Sequence, residues 1–379
     1  MRKVLFVATV VKGHIDVFHI PFLKMFKENG WETTVIAKNN YENPEDCIIP
    51  FCDNFIDMPF ERNPFNYSNV KCYCELKKII NNSEFDIIHC HTPVGSVVTR
   101  LSALKKRRTS NMKVIYTAHG FHFFKGAPFL NWIVYYPVEK LLSKFTDILI
   151  TINEEDYSIA KKKFYTKQIE LVPGIGVDLE KFNNNLVKKD NRNQELSLIG
   201  KKNDKFTLSC IGELNKNKNQ EFLLKTVAYL VKKEIDVCLF LIGEGPEREY
   251  LEKICFDLNI SKNVFFLGYR NDIPLLLGMT DVAMSVSKRE GLPVNVIEAM
   301  ASGLPIVASN CRGNNDLVID NVNGYVIESY SEEEYGDKLI QLLSNKEMYN
   351  EFSRNSKKLS QKYSIQSINT KMKRIYNIY

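Results

Sequence analysis

Residues 289–308, REGLPVNVIEAMASGLPIVA, decide how this chain is read. Two glutamates, Glu290 and Glu298, stand eight positions apart in a segment that is otherwise largely apolar. The stretch parses as a loop KREGL after a strand VAMSVS (282–287), then a helix PVNVIEAMAS, a stop at Gly303 and a strand LPIVAS (304–309). Pro293 suits the first helical position, where no backbone donor is missed, and Gly303 suits the left-handed residue past the end. Such a helix aims its free N–H groups, those of Val294 and Asn295 among them, beyond the carboxyl end of the strand, where phosphate binds readily. Glu290 lies just before that anion site and Glu298 more than one turn inside the helix. Their carboxylates can flank a ligand with a diphosphate in its middle and hydroxyls at both ends, because an ionised carboxylate accepts both hydrogen bonds of a vicinal diol. A nucleotide-sugar is such a ligand.

Working outward, the continuous apolar runs at 3–9, 33–37, 86–91, 113–118 and 147–152 read as parallel strands covered on both faces. A second series follows at 206–211, 237–242, 264–267, 282–287 and 304–309, with helical patterns such as QEFLLKTVAYLVKKE (220–234) between. Between the series, 181–205 is polar and Asn/Lys-rich and reads as a linker or surface insertion. The expected class is α/β, with two doubly wound Rossmann-like domains and ligands in an interdomain cleft beyond the strand ends. The boundaries are expected at 1–170 and 171–360, with a helix over 361–379 packing back towards the N-terminal domain.

With 379 residues, two domains of ordinary size are expected. The 44% apolar and 25% charged residues fit a globular protein rather than a disordered one. The first apolar run, VLFVATV, is too short for a signal-peptide core, and no run reaches membrane-span length, so a cytoplasmic protein is expected. Nine cysteines, an odd number, fit reduced thiols. No metal site is expected: Cys72-x-Cys74 lacks partner ligands, and strand alternation sends Cys90 away from His89 and His91, which read equally as structural or as site residues. Residues 1–168 hold 23 Lys+Arg against 17 Asp+Glu, so the whole excess of +6 lies in the first half. KKRR (105–108) and KKK (161–163) carry much of it, as solvated helix ends or as a face for an anionic surface.

The two-glutamate stretch, followed by GNNDLVIDNVNGYVI, resembles the signature of the family 4 retaining glycosyltransferases of GT-B fold. DIIHCHTP (86–93), VIYTAHGFH (114–122), VPGIGVDLEKF (172–182), IGELNKNKNQEFLL (211–224), LIGEGPEREYLE (241–252) and VFFLGYRNDI (264–273) are similar to further motifs of the family. The resemblance covers essentially the whole chain, and its first half is most like the capsular and exopolysaccharide transferases. It implies that Glu290 contacts the donor sugar, that the amides of Gly291, Leu292 and Val294 hold the diphosphate, and that Glu298 takes the ribose. Gly13 would let the first loop approach the phosphates, Lys218 would neutralise them with Lys216 nearby, Arg270 would lie against the base, and His119 would sit near the reactive carbon. One departure stands out: Glu213 follows Gly212 where many members carry an arginine on the diphosphate, and a carboxylate there repels phosphate unless it faces elsewhere or Lys216 and Lys218 neutralise it.

The implied reaction is transfer of a hexose or N-acetylhexosamine from a UDP-sugar co-substrate with retention at the anomeric carbon. No Asp-X-Asp occurs, so helix dipole and lysine are expected to replace a diphosphate-bound metal. No other cofactor and no nucleic acid is expected. The acceptor expected is an undecaprenyl-diphosphate-linked saccharide, reached from the inner face of the cell membrane. There the basic half and the aromatic stretch 122–144, with Trp132, Tyr135 and Tyr136, would meet anionic lipid. A nucleotide-sugar 2-epimerase and a catalytically silent membrane scaffold are the alternatives.

Overall fold

The computed structural model describes residues 1–182 and 205–378, so most of the expected linker, 183–204, lies outside the described residues. The chain divides into two compact units, Met1–Ile175 with Ile368–Tyr379, and Gly176–Ser367. These divisions fall a few residues beyond the expected 170 and 360.

The first unit carries seven parallel strands in the order β3-β2-β1-β4-β5-β6-β7. They are β1 (Lys3–Val10), β2 (Glu32–Lys38), β3 (Asn54–Asp57), β4 (Ile87–His91), β5 (Lys113–Ala118), β6 (Ile148–Thr151) and β7 (Gln168–Leu171). Both sheet faces are buried, which is why the central strands are apolar without alternation. Val4, Phe6 and Ala8 enter one core, Leu5 and Val7 the other. Phe6 pairs with His89 in register, so His89 and His91 share the Phe6 face while Cys90 enters the opposite core. Ile368, Met372, Ile375 and Tyr376 of the last helix, Ile365–Tyr376, join the core on the Phe6 side.

The second unit carries six parallel strands in the order β10-β9-β8-β11-β12-β13. They are β8 (Phe206–Ile211), β9 (Val237–Ile242), β10 (Val264–Gly268), β11 (Val282–Ser285), β12 (Ile306–Ser309) and β13 (Gly324–Ile327). The helix Gln220–Lys232 buries Phe222, Leu223, Leu224, Val227 and Leu230 in the core that β8 and β9 share. The helix after β11 runs Val294–Ala301. Pro293 is its cap rather than its first residue, with an extended ψ of 110°. Gly303 sits at φ +76°, the left-handed stop.

The basic and aromatic features of the first unit depart from expectation. Lys106 pairs with Glu84 at 2.6 Å and Arg107 with Asp147 at 2.6 Å, so only Lys105 and Arg108 of the KKRR block are exposed. In the helix Phe129–Leu142, Trp132, Tyr135 and Tyr136 turn inward onto the core. The face turned out is Phe129, Leu130, Ile133, Val134, Val138 and Leu141, each more than 40% exposed. No helix among the described residues is long and apolar enough to cross a membrane.

Candidate functional site

In the second unit the loops after β8 and β11 are sewn together by backbone and amide contacts. Lys288 N donates to Asn217 O at 2.8 Å, Asn217 Nδ2 to Arg289 O at 3.0 Å, and Asn295 Nδ2 to Ile211 O at 2.7 Å. Across this seam Lys218 Nζ donates to Glu290 Oε1 at 2.7 Å, the two side chains being 20% and 12% exposed. The lysine stem crosses Gly212, where an added Cβ would come within 3.0 Å of its Cε. A Cβ on Gly243 or Gly245 would stand 2.2 Å from Gly212 O or 2.3 Å from Leu214 O. The Gly-Glu-Gly turn, to which the sequence alone gives no role, is therefore the space into which the 212–214 backbone fits.

The helix Val294–Ala301 has no side-chain cap, and no hydrogen bond among the described residues takes the amides of Gly291, Leu292, Val294 or Asn295. Glu298 lies one turn in. It is largely buried, its carboxylate makes no hydrogen bond among the described residues, and burial pushes its pKa up to about 7. An uncapped helix start beside a lysine–glutamate pair, with a second carboxylate unpartnered, can take an anionic group flanked by hydroxyls.

The other expected contributors are placed less closely. Glu213 is exposed and accepts from Asn215 Nδ2 at 3.0 Å, while Lys218 is engaged with Glu290. Lys216 is also exposed and lines a separate depression with Glu221, Glu247 and Lys288, so it does not join the Lys218–Glu290 pair. Arg270 holds Asp272 through Nε at 2.8 Å and a terminal nitrogen at 2.5 Å. Sequence reasoning missed Arg312, whose Nε donates to Glu290 O at 3.2 Å. The next residue, Gly313, has φ +84° and so little room that a Cβ would stand 2.7 Å from Gly291 O. The available signal was an arginine–glycine pair just past the end of an apolar strand.

In the first unit Gly13 adopts φ +86° with open space around its Cα, a conformation that glycine takes without strain. Lys12 N beside it donates to Asn40 Oδ1 at 2.8 Å. His119 follows β5, partly buried, with its ring 4.8 Å from that of His14. One ring nitrogen from each of His14, His19, His91 and His119 lies within 4.8 Å of the other three. Reading the His-Cys-His stretch as one strand alone missed this group, since His14, His19 and His119 come from other segments. His89 is excluded from it, bonded through Nδ1 to Tyr376 at 2.7 Å and through Nε2 to Thr117 at 2.8 Å. Burial, helped by the neighbouring imidazoles, holds His14 at about 2 and His19 and His91 well below the ordinary value; burial alone holds His119 at about 4. All four are neutral at pH 7.

Comparison with known proteins agrees over both units. The family model for glycosyl transferases group 1 matches residues 191–359, and that for glycosyl transferase 4-like proteins matches 3–153. EpsD of Bacillus subtilis is 39% identical over 379 residues, covering 100% of this chain and 97% of that one. The UDP-Gal:alpha-D-GlcNAc-diphosphoundecaprenol alpha-1,3-galactosyltransferase of Escherichia coli is 30% identical over 290 residues, 75% of this chain and 73% of its own. HepE of Anabaena, solved with UDP and glucose, superposes with a TM-score of 0.80 at 18% identity over the whole of both chains, a likeness of fold. The chain belongs to the family 4 glycosyltransferases of GT-B fold.

Proposed function

We propose that this glycosyltransferase moves a hexose or N-acetylhexosamine from a UDP-sugar to a saccharide carried on a polyprenyl diphosphate, with retention at the anomeric carbon. One observation carries the donor assignment: Glu298, largely buried and with no hydrogen-bond partner for its carboxylate among the described residues, lies one turn inside an uncapped helix whose preceding loop holds the Lys218–Glu290 pair. Glu298 takes the ribose diol, the amides of Gly291, Leu292 and Val294 take the diphosphate, and Glu290 takes the sugar hydroxyls. Lys218 leaves Glu290 for the departing phosphate and stabilises its charge as the bond from the anomeric carbon to that phosphate breaks; the acceptor hydroxyl attacks the same face and passes its proton to the phosphate oxygen. Arg312 fixes the carbonyl of Glu290 and so the loop that presents it. Of the first unit, we assign Gly13 and His119 to the donor as well. Titrating UDP calorimetrically tests this: Lys218→Ala should weaken it at least tenfold, and wild type that fails to bind UDP refutes the assignment.

The diphosphate-linked acceptor of the E. coli relative supports the acceptor class. So does the outward apolar face Phe129–Leu141. Lys140 of the same helix and Lys144 just past its end lie over the Tyr165 ring, and Lys163 lies over Tyr136. Exposed apolar side chains with lysines on and just past the same helix suit an anionic lipid surface. The protein should float with vesicles containing anionic lipid and release as salt rises. Phe129→Ser with Ile133→Ser, and separately Lys105→Glu with Arg108→Glu, should each weaken flotation without changing UDP affinity. Wild type that stays with the soluble fraction refutes the membrane reading.

A further inference from the structure

All six histidines of the chain lie between positions 14 and 122, and four of them converge on one point of the first unit. His14 and His19 come from the segment after β1, His91 from the end of β4 and His119 from the end of β5. The Nε2 of His14 and His119 and both ring nitrogens of His19 and His91 are buried without a hydrogen-bond partner among the described residues. Six orphaned nitrogens in one place are a standing cost, because each buried polar atom left unpaired forfeits its solvation. Phe6, Phe18 and Phe22 close around them and offer nothing in exchange.

We propose that His14, His19, His91 and His119 bind one zinc-class divalent ion through four imidazole nitrogens. An all-imidazole set selects late first-row ions and excludes calcium and magnesium, which require oxygen. Tetrahedral Zn–N bonds of about 2.0–2.1 Å place the four nitrogens about 3.3 Å apart. With the widest separation at 4.8 Å, each ring moves inward by about 1 Å or less. Bound through Nε2 of His14 and His119 and one nitrogen each of His19 and His91, the ion leaves one unpaired nitrogen on each of the last two. A cavity of about 20 Å³, lined by His19, His91, Thr117 and His119, has room for a water to take these as an outer shell. No carboxylate among the described residues belongs to the group, so the four neutral imidazoles complete the tetrahedron and the ion keeps its charge. The group shares His119 with the donor assignment of the first unit, and the metal titration below needs no donor, so its failure and the failure of that assignment are read separately.

The test uses tag-free, full-length protein, stripped with a chelator and titrated with Zn²⁺ and with Co²⁺. One equivalent of zinc per chain by elemental analysis is expected, together with the intense visible absorption of tetrahedral Co²⁺ that zinc then abolishes. His14→Gln and His19→Gln should each weaken Co²⁺ binding at least tenfold. His122→Gln, whose ring instead stacks on Tyr135 at 4.6 Å, should bind as wild type does. Circular dichroism on every variant separates lost ligands from lost fold. Absence of stoichiometric Zn²⁺ and of the Co²⁺ spectrum in folded wild type overturns the proposal. So does folded His14→Gln and His19→Gln protein that binds as tightly as wild type.

Discussion

Replacing Glu298 by glutamine should stabilise the protein at pH 8 and change it far less at pH 5. In the fold the carboxyl holds its proton until about pH 7, whereas an ordinary glutamate releases it near 4.5. Between these values unfolding releases a proton, so the stability of the wild type falls as pH rises from 4.5 to about 7. At 1.36 kcal/mol for each tenfold step, the full penalty above pH 7 is about 3 kcal/mol, an upper figure because the side chain keeps some solvent contact. Glutamine is neutral throughout and escapes it. For a unit of this size the gain is roughly 6–12 °C in Tm at pH 8, and a small part of that at pH 5. Scanning calorimetry of both proteins at the two pH values reads it directly. UDP affinity should move the opposite way, falling by the roughly 1.5–3 kcal/mol of charged hydrogen bonds. A Tm difference that is the same at pH 5 and pH 8 refutes the buried-acid account of Glu298.

Glu290→Gln keeps the shape of the loop and removes the charge that holds Lys218 at 2.7 Å. Turnover should fall at least a hundredfold while UDP binds within about threefold of wild type, measured by UDP release and calorimetry. His119→Ala should likewise spare UDP affinity and reduce transfer; a fall in Tm with transfer intact makes it a packing residue only. UDP affinity should be the same with and without magnesium in the buffer, because amides and Lys218 rather than a metal hold the diphosphate. A magnesium requirement for UDP binding contradicts that assignment.

The central strands were legible because parallel strands buried on both faces must be apolar throughout, as in VCLFLI. The strands β3, β7 and β13 were not. All three are four-residue sheet edges; β3 and β7 are half-exposed and leave no apolar run, while β13, though buried, opens on a glycine and offers only three apolar residues. The glutamate-flanked helix was readable from its proline and glycine punctuation, to within one residue at Pro293. What sequence spacing cannot carry is which loops meet. The Arg312 contact, the fit of Gly243 under Gly212 and the gathering of His14, His19, His91 and His119 all join residues far apart in the chain. Direction along a helix was lost for a related reason: Trp132, Tyr135 and Tyr136 look like interface aromatics in a list of residues, yet the wheel turns them onto the core. Charge runs mislead in the same way, since Lys106 and Arg107 are consumed by Glu84 and Asp147.

The most direct measurement incubates the purified protein with a panel of UDP-sugars and a polyprenyl-diphosphate-linked saccharide, then reads the product by mass spectrometry and proton NMR. The expected result is one UDP released per sugar transferred and an anomeric coupling that keeps the configuration of the donor, with product from Glu290→Gln formed at least a hundredfold more slowly. An inverted linkage contradicts the retaining mechanism, and epimer formed without acceptor, or UDP-sugar left untouched in every mixture, contradicts the proposed transfer itself.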